Sequence, residues 1–539
     1  MNRLTKILAL SFLLLTGCSN SNSTSINSSS NKPSSNVSST TTSTSNSSLN
    51  DSSNTSTNNS VSSTIIESTP SEDILYDGYY KATYQSVYFK DVRKSYIFKN
   101  DLQSIGNQKI LVVPVKFKDS TYADTKLGGS DKVREDLEKV FFGEEEETGW
   151  ESVKSFYEKS SYGKLNLSGK VADWFTLDMT FNEADSLPLD VYIDPSVYIK
   201  REVGKWYLEI YDDAKEFDVD GNGYIDALWM VYDWTSKNEH VLDWAHAYWD
   251  YICQDEPSIE NPIPYTFAWA GVGFMYEGNY TDENGNPLVD AHTFIHETGH
   301  ILGLDDYYDY DRTHSYAGAL DMMDNNIGDH TALSKYLLNW TNPYVVTDEC
   351  EITINSFTET GDFILVKDDW NHSSTDEYLL IEFYTPTGLN AKDASGKYAG
   401  KYPQMYQKPG IKVYHVDARL GYYEHFRFTQ YTDEILGDPH SLAFSTRLAH
   451  SNSASTNYAN RNYQLYHLLE NSKAPLLHGT GKNATDNTLF HEGDVFDPIN
   501  HEDCFYNPEF FNDGEYINYT FEITEMTDTS ATLYFSTLS

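Results

Sequence analysis

A row of histidines four residues apart constrains the fold of this chain more than any other feature. Residues 292–311 read HTFIHETGHILGLDDYYDYD. Four residues advance an α-helix by slightly more than one turn, so His296 and His300 project from one face and can bind the same zinc ion. Glu297 lies beside them, in the position of a general base for a water molecule at that ion. The spacing therefore predicts a zinc-binding helix.

The residues after this helix predict how the chain returns to the ion. Glycine tolerates a positive φ, so Gly303 can end the helix and turn the chain back until Asp306 supplies a third ligand oxygen. Asp305 is the neighbouring alternative ligand. The competing interpretation is a surface helix with an ordinary glycine cap, followed by a solvated acidic loop.

His292 extends the row by one more turn. Three histidines on one straight helix span about 12 Å and cannot converge on a single ion. We therefore expect His292 to be a core residue or to support the ligands through hydrogen bonds, with contact to a bound ligand or substrate as the alternative.

A second metal site is predicted in the segment DVDGNGYID, residues 218–226. Its oxygen atoms follow the first nine places of an EF-hand-type calcium loop, with a glycine at the sixth place and a backbone carbonyl at the seventh. The predicted ligands are Asp218, Asp220, Asn222, Tyr224 and Asp226. The twelfth place is Trp229 where such loops carry glutamate, and an Asx-rich turn is the alternative. Asp309 and Asp311 are a further candidate pair.

The extended pattern H-E-x-x-H-x-x-G-x-x-D resembles that of the metzincin zinc proteases, with aspartate as the third ligand. Those proteases also carry a methionine turn beneath the zinc, and GALDMMDNN offers Met323 for it, with Met322 as the alternative. Segments including ILVVPVKFKD, SVKSFYEKSSYGKLNLSG, FDVDGNGYIDALWMVYDW and HTALSKYLLNW make the chain similar to the immune-inhibitor-A-like family of secreted bacterial metalloproteases. The resemblance runs from about residue 106 to at least 420. It implies peptide-bond hydrolysis.

The N-terminus has the layout of a secretory signal. Arg3 and Lys6 precede an apolar run at residues 7–15, and LTGC resembles the bacterial lipoprotein box. We expect Cys18 to become the lipidated first residue of the mature chain, which would anchor the exported protein to the membrane at the bacterial cell surface. Shedding or secretion from that surface is the alternative. The alternative is an ordinary cleaved signal that contains a cysteine.

Composition limits the partners of the chain. Lys and Arg total 38 against 81 Asp and Glu, a net charge of -43, which argues against nucleic acid and anionic membrane surfaces. Contact with the membrane is then expected only through the lipid anchor, and the protein is predicted to be a monomer. Cys253, Cys350 and Cys504 form at most one internal disulfide, and the sequence does not decide the pairing.

Periodicity divides the chain into five parts. A strand at 109–117, a helix at 131–143, a strand at 224–234 and a helix at 332–340 predict an α+β domain, and short β-branched runs after 346 predict a sandwich-like β-rich region. With the family resemblance, the first is a metzincin-like zinc protease domain. The parts are a signal peptide (1–17), a lipidated cysteine with a Ser/Thr/Asn-rich disordered tether (18–73), an N-terminal segment (74–105), the catalytic domain (106–345) and the β-rich region (346–539).

Three classes of function compete. The leading hypothesis is a surface-anchored zinc endopeptidase that cleaves extracellular proteins, with Glu297 as general base and an oxyanion donor that the sequence does not identify, Tyr316 and Tyr336 being nearby tyrosines. The second is an adhesin or a glycan- or protein-binding lipoprotein whose protease domain is latent or accessory. The third is a calcium-stabilised structural protein. Glu297 favours the first hypothesis, because a protein that only binds needs no acid–base residue between zinc ligands.

Overall fold

The computed structural model describes residues 72–95, 102–188, 194–235, 241–250, 257–425, 427–437, 443–453, 463–471, 482–507 and 509–538. The predicted signal peptide, Cys18, Cys253 and nearly all of the predicted tether lie outside these residues. Glu72–Ser539 form one compact unit. Within the described part of the chain, no helix is both long and apolar enough to cross a membrane.

The N-terminal segment contributes two strands to a sheet of the C-terminal region. It contains β1 (Ile74–Leu75), β2 (Tyr79–Lys81) and the helix α1 (Phe89–Ser95). β2 pairs antiparallel with β11 (Tyr344–Val346), which spans the boundary expected at residues 345 and 346. Residues 74–81 are therefore held by strand pairing to a part of the chain more than two hundred residues away.

The α+β region is built on a six-stranded sheet. Its elements are β3 (Gly106–Phe117), α2 (Tyr122–Lys126), α3 (Ser130–Phe142), α4 (Val153–Ser160), β4 (Leu165–Val171), β5 (Phe175–Leu177), α5 (Phe181–Asp185), α6 (Pro195–Ile210), β6 (Tyr224–Ile225), β7 (Leu228–Tyr232), β8 (His246–Trp249), β9 (Ile263–Pro264), β10 (Thr266–Gly271), α7 (His292–Leu302), α8 (Met322–Asn325) and α9 (Ala332–Leu337). The strand order is β4-β3-β7-β10-β8, and β5 also pairs with β3. All neighbours run parallel except β8, which is antiparallel to β10.

Two predicted elements differ from the structure. The strand expected at 224–234 is two strands, because β6 pairs with β9 in a separate small sheet while β7 lies between β3 and β10. The helix expected at 332–340 ends at Leu337, since Asn339 adopts a left-handed conformation with φ 61°. The strand at 109–117 and the helix at 131–143 are confirmed as the greater part of β3 and α3.

The C-terminal region is β-rich, as the sequence predicts. Its elements after β11 are β12 (Cys350–Asn355), α10 (Phe357–Thr360), β13 (Phe363–Val366), β14 (Glu377–Tyr384), α11 (Ala391–Ser395), β15 (Gly410–Asp417), β16 (Leu420–Glu424), β17 (Arg427–Tyr431), β18 (Phe444–Leu448), β19 (Tyr466–Leu469), β20 (Val495–Phe496), β21 (Tyr519–Met526) and β22 (Ser530–Thr537). A seven-stranded sheet has the order β1-β2-β11-β13-β14-β15-β19, and a four-stranded sheet has the order β12-β22-β21-β20.

These two sheets enclose one apolar cluster. Ile381 and Val413 of the larger sheet and Ile523 and Leu533 of the smaller one are completely buried in it. Face-to-face packing of this kind is that of a sandwich. Cys350 and Cys504 are buried in the same cluster and are not bonded to each other.

Candidate metal centre

The helix that carries the histidines is buried on nearly all sides. Among its residues His300 alone is partly exposed, and the helix ends at Gly303, whose φ of 108° and ψ of 7° place it in the left-handed region. The Tyr157 hydroxyl donates to the Ile295 carbonyl at 2.7 Å, and Trp229 Nε1–H of β7 donates to Thr298 Oγ1 at 3.2 Å. The central strand of the sheet and α4 therefore fix the helix in place.

The three predicted ligands converge beyond this helix. One ligand atom each of His296, His300 and Asp306 lie within 4.8 Å of one another. Asp306 Oδ1 is 3.1 Å from Nε2 of both histidines. Two imidazole nitrogens and one carboxylate oxygen are the donor set of catalytic zinc sites that keep a position open, so the residues fit a zinc ion.

Backbone carbonyls orient both imidazole rings. Nδ1 of His296 lies 2.7 Å from the Met322 carbonyl oxygen, and Nδ1 of His300 lies 2.7 Å from that of Leu304. A carbonyl only accepts hydrogen bonds, so each Nδ1 carries a proton, and Nε2 is the nitrogen that faces the centre and can bind a metal. The sequence motif contains neither acceptor in its defining positions.

The charges at the site favour a bound cation. Burial would raise the pKa of Asp306, but the imidazoles of His300 and His296 outweigh it and hold that pKa well below its usual range. Burial would likewise lower the pKa of His300, and the Asp306 carboxylate instead raises it to about 10. A buried carboxylate that attracts positive charge this strongly is suited to a divalent metal.

Glu297 lies next to this ligand set. Its side chain is 6% exposed, and burial raises the pKa of its carboxyl group, opposed by His296 and His300. Among the described residues, no group donates a hydrogen bond to Glu297 Oε2, although the atom is buried. Such an oxygen is available to a water molecule or a substrate, as a general base requires.

The two candidate methionines have different roles. Both are completely buried, and the carbonyl of Met322 is the one that orients His296. Met323 packs its side chain beneath the helix, since a Cβ added to Gly299 would lie 2.6 Å from Met323 Sδ. The carboxylate of Asp321 accepts a hydrogen bond from the Met323 amide at 2.7 Å and so fixes the turn.

Two tyrosines in the segment after Asp306 approach the ligands. The Tyr310 hydroxyl donates to Asp306 Oδ2 at 3.1 Å, and the ring of Tyr308 stacks near His296 with centroids 6.4 Å apart. The two tyrosines considered from the sequence pack elsewhere: Tyr336 in the core against Phe363, and Tyr316 on His314. The stretch DDYYDYD contained the relevant residues, but its spacing did not indicate which would turn inward.

His292 is a core residue, which confirms the preferred prediction. It is fully buried between the rings of Trp150 and Tyr398, at centroid distances of 4.2 and 3.9 Å. Its Nδ1 is 2.8 Å from Asp290 Oδ1, and its Nε2 is 3.4 Å from Asp393 Oδ2. Burial alone would lower the pKa of His292, but the two carboxylates raise it to about 9. The imidazole ring of His292 therefore links the start of α7 to the C-terminal region.

The acidic loop forms the second convergent group among the described residues. One carboxylate oxygen each of Asp218, Asp220 and Asp226 lie within 4.8 Å of one another. Asn222 uses its side-chain oxygen to accept from the Tyr224 amide at 3.0 Å. The loop therefore closes by Asx-type bonds and still gathers three carboxylates.

Asp309 and Asp311 belong to neither group. The Asp309 carboxylate accepts hydrogen bonds from the amides of Asp311 and Thr313 at 3.1 Å and from the Thr313 hydroxyl at 2.7 Å. Its oxygens hold the loop together. Asp305 is also outside the ligand group, and burial raises its pKa to about 6.

Comparison with known proteins supports a distant relationship to Immune inhibitor A. The chain is 26% identical over 274 residues to Immune inhibitor A of Bacillus thuringiensis subsp. alesti. The aligned part covers 42% of this chain and 35% of the length of that protein. No protein-family model matches the chain.

Proposed function

We propose that this chain is a zinc-dependent endopeptidase of metzincin type that hydrolyses peptide bonds of extracellular proteins. The observation that carries the proposal is the convergence of His296, His300 and Asp306 beside the buried carboxylate of Glu297. The distant relationship to Immune inhibitor A supports the same class. We assign catalysis to the region 106–345, with Met323 as the methionine beneath the site.

The residues of the site suit peptide hydrolysis. A zinc ion held by His296, His300 and Asp306 would polarise the scissile carbonyl and make the attacking water more acidic. Glu297 takes a proton from that water on its carboxylate as the C–O bond forms. It then gives the proton to the leaving amine as the C–N bond breaks. Burial raises the pKa of Glu297, which helps it to hold the proton between these steps.

We propose a structural calcium ion in the acidic loop. Asp218, Asp220 and Asp226 supply converging carboxylates, and the Asn222 side chain and the Tyr224 carbonyl complete the oxygen set predicted from the EF-hand-type pattern. Trp229, at the twelfth place, has no side-chain oxygen and donates its indole N–H to Thr298, so its side chain cannot act as a ligand. The loop is therefore an incomplete EF-hand-type loop that would order the chain leading into the central strand.

We further propose that the protein is exported and works at the bacterial cell surface as a monomer, anchored through lipidated Cys18. The support is the apolar run at residues 7–15 followed by LTGC. Mass spectrometry of the mature N-terminus tests this directly. A chain that begins with unmodified residues beyond Cys18 would contradict the anchor and leave the site chemistry unaffected.

The decisive experiment compares the full-length chain with Glu297→Gln, which keeps the shape of the side chain and removes the base. We expect one zinc ion per chain in both, with casein cleavage lowered at least about 100-fold in the variant. Glu283→Gln, at an exposed position, is the matched control and should cleave like the wild type. Zinc bound by the wild type without any cleavage would contradict the proposal and favour an adhesive or binding protein.

A further inference from the structure

Arg93 of the N-terminal segment reaches the end of the metal-binding helix. Its side chain is buried, and its Nη1 donates to the Leu302 carbonyl while Nη2 lies 3.5 Å from the Ile301 carbonyl oxygen. Arg93 lies about two hundred residues before these partners in the sequence. A forked cation is thus placed at the negative end of the helix that carries His296 and His300.

Arg93 completes the hydrogen bonding of the last helical turn. The last four carbonyls of an α-helix lack partners within the helix. Here the amides of Gly303 and Leu304 donate to the Gly299 carbonyl, each at 3.0 Å, and the Gly303 amide also donates to the His300 carbonyl at 2.9 Å. The Ile301 and Leu302 carbonyls are instead reached by the guanidinium of Arg93. The guanidinium therefore satisfies the carbonyls that the backbone turn does not reach.

Gly303 is required here for two independent reasons. Its φ of 108° is disfavoured for any residue with a side chain. A Cβ at this position would also overlap the guanidinium of Arg93. The turn that brings Asp306 to the histidines is thus shaped around the Arg93 side chain.

The rest of the N-terminal segment holds Arg93 in position. Phe89 and Val92 of α1 belong to the main apolar core. The Gln85 side chain donates to the Tyr336 carbonyl at 3.1 Å and accepts from the Ser374 amide at 3.3 Å. β2 of the same segment pairs with β11. Strand pairing, the Gln85 hydrogen bonds and the packing of α1 therefore hold the segment where Arg93 meets α7.

We propose that Arg93 is a positioning residue of the metal centre. By holding the Ile301 and Leu302 carbonyls, it fixes the turn in which the Leu304 carbonyl orients His300 and from which Asp306 returns to the site. This inference rests on the proposed zinc site, and it makes the N-terminal segment a working part of that site. Removal of the segment is then expected to inactivate the protein.

Two variants of the full-length chain test the role of Arg93. Arg93→Met removes the charge and both donors, and Arg93→Lys keeps the charge with a single point of donation. Lys90→Met is the matched control, because Lys90 is an exposed cation on the same helix. Three properties are measured for each protein. They are the hydrogen exchange of residues 299–306 without metal, the zinc affinity by chelator competition, and the visible absorption of the cobalt form.

We expect faster exchange of residues 299–306 in Arg93→Met with unchanged exchange in β21 and β22, an altered cobalt spectrum, and zinc affinity about 10- to 100-fold weaker. Arg93→Lys should have an exchange rate and a zinc affinity between those of the wild type and Arg93→Met. Lys90→Met should match the wild type in both. Wild-type exchange and affinity in Arg93→Met would overturn the proposal. So would a uniform rise in exchange with unchanged affinity, since that is the result of a purely structural role.

The outcomes separate this inference from the proposed function. A wild-type protein that binds zinc without cleaving casein contradicts the endopeptidase, while the affinity and exchange data still decide the role of Arg93. A wild-type protein that binds no zinc overturns both. If Arg93→Met does not fold, the milder Arg93→Lys decides, and wild-type zinc affinity and cobalt spectrum in that variant would overturn the proposal.

Discussion

The two groups of converging ligands differ in what holds them. His296, His300 and Asp306 depend on distant parts of the chain, including the Met322 carbonyl and Arg93. The acidic loop is closed largely by its own backbone: the Asp218 carboxylate accepts from the amides of Asn222 and Gly223, each at 2.9 Å. The first group is preorganised by the fold, and the second mainly by local turns.

This difference predicts different consequences of metal binding. A preorganised, buried site changes little in structure when an ion leaves, so removal of the ion should abolish activity more than stability. A loop of mutually repelling carboxylates is stabilised by a bound ion, so removal of the ion should lower the stability of the fold. Burial is the main cause of the raised pKa of Asp220, and Coulombic repulsion from Asp218 raises it further.

The largest effect is expected when a ligand of the proposed zinc site is removed, compared with a ligand of the acidic loop. His300→Ala should lower zinc content and casein cleavage by at least about 100-fold, because only two ligands remain. Asp226→Asn should leave both unchanged. Metal analysis and a protease assay on both variants check this, and loss of zinc in Asp226→Asn would show that the sites are not independent.

A pH effect is expected at the start of the metal-binding helix. Because the pKa of His292 is raised from 6.5 to about 9 in the folded protein, its contribution to stability is complete below about pH 6.5 and is lost as pH rises through about 9. The loss amounts to roughly 3 kcal/mol of unfolding free energy.

His292→Gln should remove this dependence, so that the stabilities of variant and wild type converge as the pH is raised from 6.5 to 9.5. Urea unfolding across this range is the measurement. His314→Gln, at a position 37% exposed, is the control and should retain the wild-type slope. Parallel curves for His292→Gln and wild type would show that His292 is not charged in the fold.

Backbone packing should also distinguish the sites. Gly299→Ala forces a Cβ against Met323 Sδ and within 3.3 Å of the Tyr157 hydroxyl, and should cost about 1–3 kcal/mol. Gly221→Ala in the acidic loop meets no neighbouring atom within 4 Å, so only its φ of 74° opposes the change. Its cost should be about 1 kcal/mol.

Gly396→Ala provides the reference for these substitutions. Nothing lies within 4 Å of the added Cβ, and its φ of -166° is extended backbone. Thermal unfolding of the three variants should rank Gly299→Ala as the least stable. A Gly299→Ala protein as stable as Gly396→Ala would contradict the close packing of helix and methionine.

The smallest expected effect is calcium stabilisation. At a free calcium concentration ten times the Kd, binding should add about 1.4 kcal/mol to the unfolding free energy. Melting curves with calcium and with EGTA should therefore differ for the wild type and coincide for Asp218→Asn. Equal shifts in both proteins would place the bound calcium elsewhere.

The local parts of this architecture are those that the sequence predicted. The spacing of His296, His300 and Asp306 follows from one helical turn and one glycine turn, and the structure brings these side chains together. Strand β3 was predicted because its residues form a continuous apolar run, and helix α3 because its apolar residues repeat with helical spacing. These features are encoded within about a dozen residues each.

The parts that were not predicted depend on contacts between distant segments. No spacing rule indicates that β6 and β7 enter different sheets, or that Arg93 lies against Gly303. The motif suggested one methionine, whereas the backbone of Met322 and the side chain of Met323 both contribute. Such pairings are decided by tertiary packing, which a single sequence does not display.

The supports of the helix also determine when the site can form. A peptide of residues 292–306 contains every proposed zinc ligand, yet Tyr157, Trp229 and Arg93 lie between 69 and 209 residues from the helical atoms they bond. Contacts of that sequence separation form late, after most of the loop-closure entropy has been lost. The ligands of the metal centre therefore need much of the fold in place before they converge, and a partly folded chain would lack the proposed hydrolytic activity.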